Sequence, residues 1–331
     1  MPDNNTNEIQ HITPDLSWTD RLDHLTARFG FRRSQHRILP GLYAINHPAP
    51  ESPVFATANY TLSYDALRSS LKNIDGYILV LDTQGINVWC AAGKGTFGTD
   101  ELVRKIEEVD LKSVVSHRTV ILPQLGAPGI SAHEVKKRTG FKVEYGPVRA
   151  ADIPAYMITH TATLEMRQVT FGLIDRVILI PVELANMLLP ILGISLVLWI
   201  LVNPLIAKGF IASALAGLIL FPILLPWLPS EKFSTKGFYL GILVAIPFLI
   251  ISWFDGASIN LWQRSAWLFV IILGLPAITA YLALNFTGAT PCASRSGVER
   301  EIKQYIPVMA WSTGLSMVLL LGLSLVKYIS G

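Results

Sequence analysis

The sequence predicts two bodies, an α/β domain built on a Rossmann-like parallel sheet and a C-terminal all-α transmembrane domain of about five helices. Three observations predict it. The 331 residues are 51% hydrophobic and 15% charged, with mean hydropathy +0.44, which is too apolar for an ordinary soluble protein. The charges are partitioned: residues 1–183 hold 19 Lys/Arg and 20 Asp/Glu, whereas residues 184–331 hold 8 and 4. Short apolar runs alternate with helical patterns in the first half, and the second half consists of long apolar runs.

In chain order, residues 1–50 read as an N-terminal arm. Its first 15 residues are polar and acidic and lack a secretory signal. Residues 17–29 form an amphipathic helix pattern that ends in Arg32 and Arg33. Residues 51–165 read as the α/β domain, with strands at 54–58, 77–82, 119–122 and 142–145. Helical patterns at 64–71, 100–109, 132–139 and 152–159 alternate with them, which implies a parallel sheet covered on both faces. Ligands in such sheets bind beyond the C-terminal strand ends. The loops 58–60, 83–98, 123–129 and 146–150 fall there and make one candidate site.

Residues 166–186 mix charge with Val, Phe, Leu and Ile and read as one interfacial linker helix. Residues 187–331 carry five apolar runs, 187–203, 209–227, 237–254, 266–286 and 306–326. Each is close to the roughly 17–25 residues that span about 30 Å of hydrocarbon. An odd number of spans puts the termini on opposite faces. With the N-terminal domain in the cytoplasm and the C-terminus outside, Arg167, Arg176, Lys232, Lys236, Arg295, Arg300 and Lys303 lie inside. Only Lys208, Arg264 and Lys327 then lie outside, as the positive-inside rule asks of a multi-pass protein of the cytoplasmic membrane. The formal net charge of +3 thus belongs to loops flanking the spans, and no nucleic-acid partner is expected. The spans are nearly free of ionisable residues, which favours an anchor over a transporter. The hydroxyl-rich loop 285–297 reads either as a connector or as a polar lid for the site.

The chain has two cysteines, Cys90 and Cys292, and no C-x-x-C, so no iron–sulfur cluster or structural zinc of its own is expected. Cys90 lies in Asn87-Val88-Trp89-Cys90-Ala91-Ala92-Gly93-Lys94-Gly95, expected as a single helical turn after the strand at 77–82. A lone cysteine is most often a small buried hydrophobe. Here Ala91 and Ala92 leave space beside the sulfur, and Lys94 favours the thiolate. Trp89 reads as core packing, and His117 and His133 as ordinary positions outside any catalytic triad. Gly93, Gly95 and Gly98 satisfy G-x-G-x-x-G, but begin about ten residues after the strand with no acidic residue about 20 positions on, so a dinucleotide signal is weak. A Walker A reading fails at Val88 and Gly95. Thr99 reads as the N-cap of the next helix, with Asp100 and Glu101 in its first turn.

The run from Gly85 through Cys90 to Asp100 resembles the cap-helix signature of the corrinoid membrane protein of microbial mercury methylation. The resemblance extends over 40–43, 123–129, 145–150 and 286–297 with the last span. That family is itself similar to the corrinoid domain of the corrinoid iron–sulfur protein of acetyl-CoA synthesis, which lacks the cysteine. The resemblance implies that 51–165 binds a base-off cobamide, with Cys90 as the lower axial cobalt ligand. Asn87, Val88, Trp89, Ala91, Ala92, Gly93, Lys94, Gly95, Thr96, Gly126 and Gly129 are the further cofactor-binding positions. The absence of a D-x-H-x-x-G segment is consistent with a sulfur rather than a histidine ligand. The implied activity is methyl transfer from a methyltetrahydrofolate-linked donor protein, by way of cobalt-bound methyl, to Hg(II). The implied redox partner is a small ferredoxin with two 4Fe–4S clusters. The alternative is a membrane-anchored corrinoid methyl carrier of one-carbon metabolism in the acetyl-CoA pathway.

Overall fold

The computed structural model describes residues 9–32, 35–255, 260–291 and 293–330; Cys292 and any role for it lie outside the described residues. The chain divides into two compact units, Met1–Val169 and Thr170–Gly331.

The first unit is a six-stranded sheet with helices on both faces. Its strands are β1 (Gln10–Ile12), β2 (Gly41–Ile45), β3 (Val54–Ala58), β4 (Gly76–Leu81), β5 (Thr119–Leu122) and β6 (Lys142–Tyr145), in the order β1-β2-β4-β3-β5-β6. Its helices are α1 (Trp18–Arg28), α2 (Thr61–Ser70), α3 (Val88–Lys94), α4 (Thr99–Glu108), α5 (Leu111–Val114), α6 (Ala132–Thr139), α7 (Ile153–Thr159) and α8 (Leu164–Arg167). The strands from β3 to β6 are parallel, but β2 runs antiparallel to β4, so the sheet is mixed rather than wholly parallel. The stretch expected as an N-terminal arm supplies β1, α1 and β2. Gly-Leu-Tyr-Ala-Ile of β2 is uniformly apolar and shows no strand period, and its antiparallel pairing with β4 reveals it.

β3 and β4 are buried along their whole length, which explains their continuous apolar runs. Their side chains alternate between two cores. Val54, Ala56, Tyr77, Leu79 and Leu81 pack on the face that holds Val88, Ala91, Leu102 and Ile106. Phe55, Ile78 and Val80 pack on the other, with Leu67, Ile153 and Tyr156. In the parallel set β4-β3-β5-β6, the crossovers leave β3 and β5 in opposite directions. The boundary between those two strands is therefore a topological switch point.

The second unit comprises α9 (Leu173–Val177), α10 (Ile180–Leu201), α11 (Pro204–Leu215), a π-helical turn at Ala216–Leu220, α12 (Phe221–Leu224), α13 (Phe233–Asp255), α14 (Leu261–Asn285) and α15 (Arg295–Ser330). Five helical segments are long and apolar enough to cross a membrane: Leu173–Leu201, Pro204–Leu224, Phe233–Asp255, Leu261–Ala289 and Ser296–Val326. Residues 166–186 are not one helix. Thr163 caps α8, and the Asp175 carboxylate accepts from the Gly172 N–H to start α9 afresh. Close packing comes from small residues. A Cβ on Gly241 would stand 2.5 Å from Pro276 Cα, and one on Gly237 2.6 Å from Ala280 Cα, so α13 and α14 touch backbone to backbone. Arg176, counted above among loop charges, is only 4% exposed. Its guanidinium donates to the carbonyls of Pro222 (2.8 Å) and Ile223 (2.7 Å), which α12 leaves free at its C-terminal end. The Thr287 hydroxyl of the 285–297 loop is buried and donates to the Leu284 carbonyl within this unit.

Candidate functional site

The loop after β4 is held by Asn59, the residue that follows β3. Its Oδ1 accepts from the Thr83 N–H (3.1 Å) and the Gly85 N–H (2.9 Å), and its Nδ2 donates to Asp82 (3.1 Å). That loop delivers Asn87, the N-cap of α3, whose side chain accepts from the Cys90 N–H at 2.9 Å. α3 has seven residues, two turns where one was expected. Val88, Ala91 and Ala92 face the core at helical spacing. The opposite face therefore presents Asn87, Trp89, Cys90, Gly93 and Lys94 to the outside.

Cys90 is exposed and free. Gly93, three residues on, adds no bulk to that face: a Cβ there would meet nothing within 4 Å. No packing among the described residues thus explains the glycine. Trp89 is 45% exposed, not core packing, because α3 turns it toward the cleft described below. Gly95 ends α3 in the left-handed region at φ +84°, where glycine avoids a Cβ penalty.

Gly126 and Gly129 lie on the other side of the helix. A Cβ on Gly126 would stand 2.5 Å from the Phe97 ring; one on Gly129 would be 2.2 Å from the Phe97 carbonyl and 3.1 Å from Ala92. Both brace the underside of α3, so the structure places them behind the outward face rather than on it. Thr96 is half-buried, with its hydroxyl 3.5 Å from the Ala91 carbonyl. The phenol of Tyr145, pushed up by burial, donates to the Ile130 carbonyl (2.7 Å) and fixes the end of that loop.

One expectation is corrected here. Gly98, not Thr99, is the N-cap of α4, because the Thr99 hydroxyl accepts from the Ser131 N–H (2.8 Å). Gly93, Gly95 and Gly98 join helix to helix, so the strand–turn–helix context of a dinucleotide fingerprint is absent. His117 is tied down on both ring nitrogens, with Nε2 2.9 Å from the Ser52 carbonyl and Nδ1 accepting from Thr119. Among the described residues no group of three His, Cys, Asp or Glu is arranged to hold a metal ion.

Beside α3 an open cleft of about 380 Å³ enters the C-terminal edge of the sheet. It lies at the switch point, where β3 and β5 pair only at Phe55↔Ile121 and then diverge. Its walls include Thr57, Tyr60, Leu62, Trp89, Pro123 and Val148. Among the described residues no carboxylate, histidine, lysine or arginine lines it, and its walls are mostly apolar. The sequence reading located the four loops, Asn59 and Tyr60 of the 58–60 loop among them, but missed Leu62 and Ile153 as contributors. Those two look like any helical apolar residue.

The first unit is thus an α/β domain with an open, thiol-bearing helix at the switch-point edge of its sheet, and a run of apolar helices follows it in the chain. Residues 5–157 match the family described as CO dehydrogenase/acetyl-CoA synthase delta subunit. The acetyl-CoA decarbonylase/synthase complex subunit gamma of Archaeoglobus fulgidus is 35% identical over 138 residues, covering 40% of this chain and 29% of that protein. The subunit of the same name from Methanopyrus kandleri is 32% identical over 127 residues, or 38% of this chain and 27% of that protein. The corrinoid/iron-sulfur protein large subunit of Moorella thermoacetica is 28% identical over 160 residues, 48% of this chain and 34% of that protein. The chain thus spans 27–34% of the length of these relatives. The similarity is to subunits of acetyl-CoA decarbonylase/synthase and to a corrinoid/iron-sulfur protein.

Proposed function

We propose that the first unit binds a corrinoid over α3 with Cys90 as the lower cobalt ligand, and that the chain is a membrane-anchored corrinoid methyl carrier whose acceptor is Hg(II). The observation that carries this reading is the outward face of α3, where an exposed thiol stands beside a bare Gly93. These residues fit the group: a flat macrocycle can rest on Gly93 within reach of the sulfur, and the adjacent cleft has room for an appended tail.

When bound, a corrinoid supplies a cobalt centre able to accept and release a methyl group. The chain's own residues hold it. Asn87 fixes the first turn of α3, and with it the direction in which Cys90 points. Lys94, exposed one turn on, shares the outward face of α3 with Cys90. Trp89 closes the side toward the cleft. A thiolate is a soft, electron-rich donor, the ligand type that suits methyl delivery to a soft electrophile such as Hg(II). Electrons are supplied by a partner protein, a small ferredoxin with two 4Fe–4S clusters. The methyl group comes from a methyltetrahydrofolate-linked protein. The five apolar segments anchor the unit with the N-terminal part in the cytoplasm and the C-terminus outside.

The comparisons favour a second reading, a methyl carrier of one-carbon metabolism in which mercury is incidental. One experiment separates the two. Full-length protein, reconstituted with a cobamide under anaerobic conditions, is tested by cobalt X-ray absorption for a sulfur neighbour and assayed with Hg(II) and with a nickel acetyl-CoA synthase. A cobalt–sulfur shell and methylmercury formation, both lost in Cys90→Ala, support the first reading. Methyl transfer to the nickel enzyme that survives in Cys90→Ala supports the second.

A further inference from the structure

Helix α1 is seated with its polar side inward. Asp20 accepts from Arg68 of α2 at 2.9 Å, His24 meets Asp65 of α2 at 2.7 Å, and Ala27, further along the helix, is buried. Its apolar residues are left outside. Trp18, Leu22 and Leu25 are 72%, 46% and 51% exposed, and they fall on one face at i, i+4 and i+7. The stripe continues through Phe29, whose ring stacks on that of Phe31, itself 59% exposed. Arg21 and Arg28 flank the stripe along one side, Arg32 follows it, and none of the three pairs with a carboxylate among the described residues.

This pattern is not that of a helix packing on its own core, since it leaves Trp and Leu exposed and turns the half-buried Asp20 and His24 toward α2. A tryptophan, two leucines and flanking arginines on one open face are the composition of a helix that lies in a bilayer interface. The charge complementarity selects an anionic surface, because the acidic residues of α1 nearest the body, Asp20 and Asp23, are taken up by Arg68 and His36. The same chain carries five segments long enough to cross a bilayer, so a lipid surface is present at high effective concentration. We infer that α1 is a second, peripheral membrane contact, with Trp18, Leu22 and Leu25 inserted among the headgroups of anionic phospholipids and Arg21, Arg28 and Arg32 on their phosphates. This contact is independent of what binds over α3.

The test uses the full chain in nanodiscs, one set of phosphatidylcholine alone and one with added phosphatidylglycerol. The photo-reactive residue is placed by Leu22→p-benzoylphenylalanine and, as control, by Glu107→p-benzoylphenylalanine on the exposed side of α4. The expected result is lipid adducts at position 22 at least about fivefold above position 107 and enriched in phosphatidylglycerol, with the enrichment lost near 1 M salt, where screening acts within about 3 Å. Arg21→Glu with Arg28→Glu should remove the phosphatidylglycerol preference and leave the α1–α2 contacts in place. Equal lipid adducts at the two positions overturn the inference. So do protein adducts at position 22 in place of lipid, which would assign the face to a protein partner.

Discussion

At the scale of single residues, α3 separates positions that hold the helix from positions that face outward. Cys90 is exposed and its side chain fills no core space, so Cys90→Ala should change stability by less than about 0.5 kcal/mol while removing sulfur from the cobalt shell. A thermal scan beside the absorption spectrum checks both halves of that statement. Asn87→Ala belongs to the other class. It removes the acceptor for the Cys90 N–H, should cost about 1 kcal/mol, and should loosen cobalt–sulfur ligation without abolishing it. Val88, Ala91 and Ala92 belong to the core and are expected to affect folding before binding.

At the scale of elements, glycines mark where backbones meet. Gly129→Ala forces a Cβ to within 2.2 Å of the Phe97 carbonyl, so it should shift the loop under α3 and destabilise the first unit by about 1–3 kcal/mol, read from a denaturation curve. Gly241→Val should separate α13 from α14, because its Cβ meets backbone and not a flexible side chain; loss of monodisperse protein in detergent is the expected outcome. The seat of α1 depends on pH. Burial raises the Asp20 pKa, but hydrogen bonds from Ser17 and Arg68 outweigh it and hold the carboxyl below its ordinary 3.8. A depressed carboxyl pKa stabilises the fold above the unfolded value and loses that contribution as pH falls through the folded one. Asp20→Asn should therefore weaken the α1–α2 contact at neutral pH and make little difference in strong acid, as followed by proteolysis near residue 28.

For the whole molecule, the testable claim is orientation. A C-terminal alkaline phosphatase fusion should be active and a C-terminal green fluorescent protein fusion dark, with the reverse for N-terminal fusions. The charge partition that predicts this was legible in the sequence, as were the five apolar segments and the strands at 54–58, 119–122 and 142–145. Long apolar periods and fully buried parallel strands leave a strong linear signal. β1 left none, because three residues at the sheet edge show no period, and β2 is revealed by its antiparallel pairing with β4.

The linear order of residues determined that an α/β body precedes a run of apolar helices, and that one cysteine stands in a small-residue turn. Composition and periodicity are local properties, and they survive without a fold. Only tertiary structure decided that Trp89 faces out, that Gly126 and Gly129 brace the back of α3, that Arg176 is buried on carbonyls, and that α1 shows its apolar side to the outside. Each depends on which surface another element covers, and that is set by packing between segments far apart in sequence.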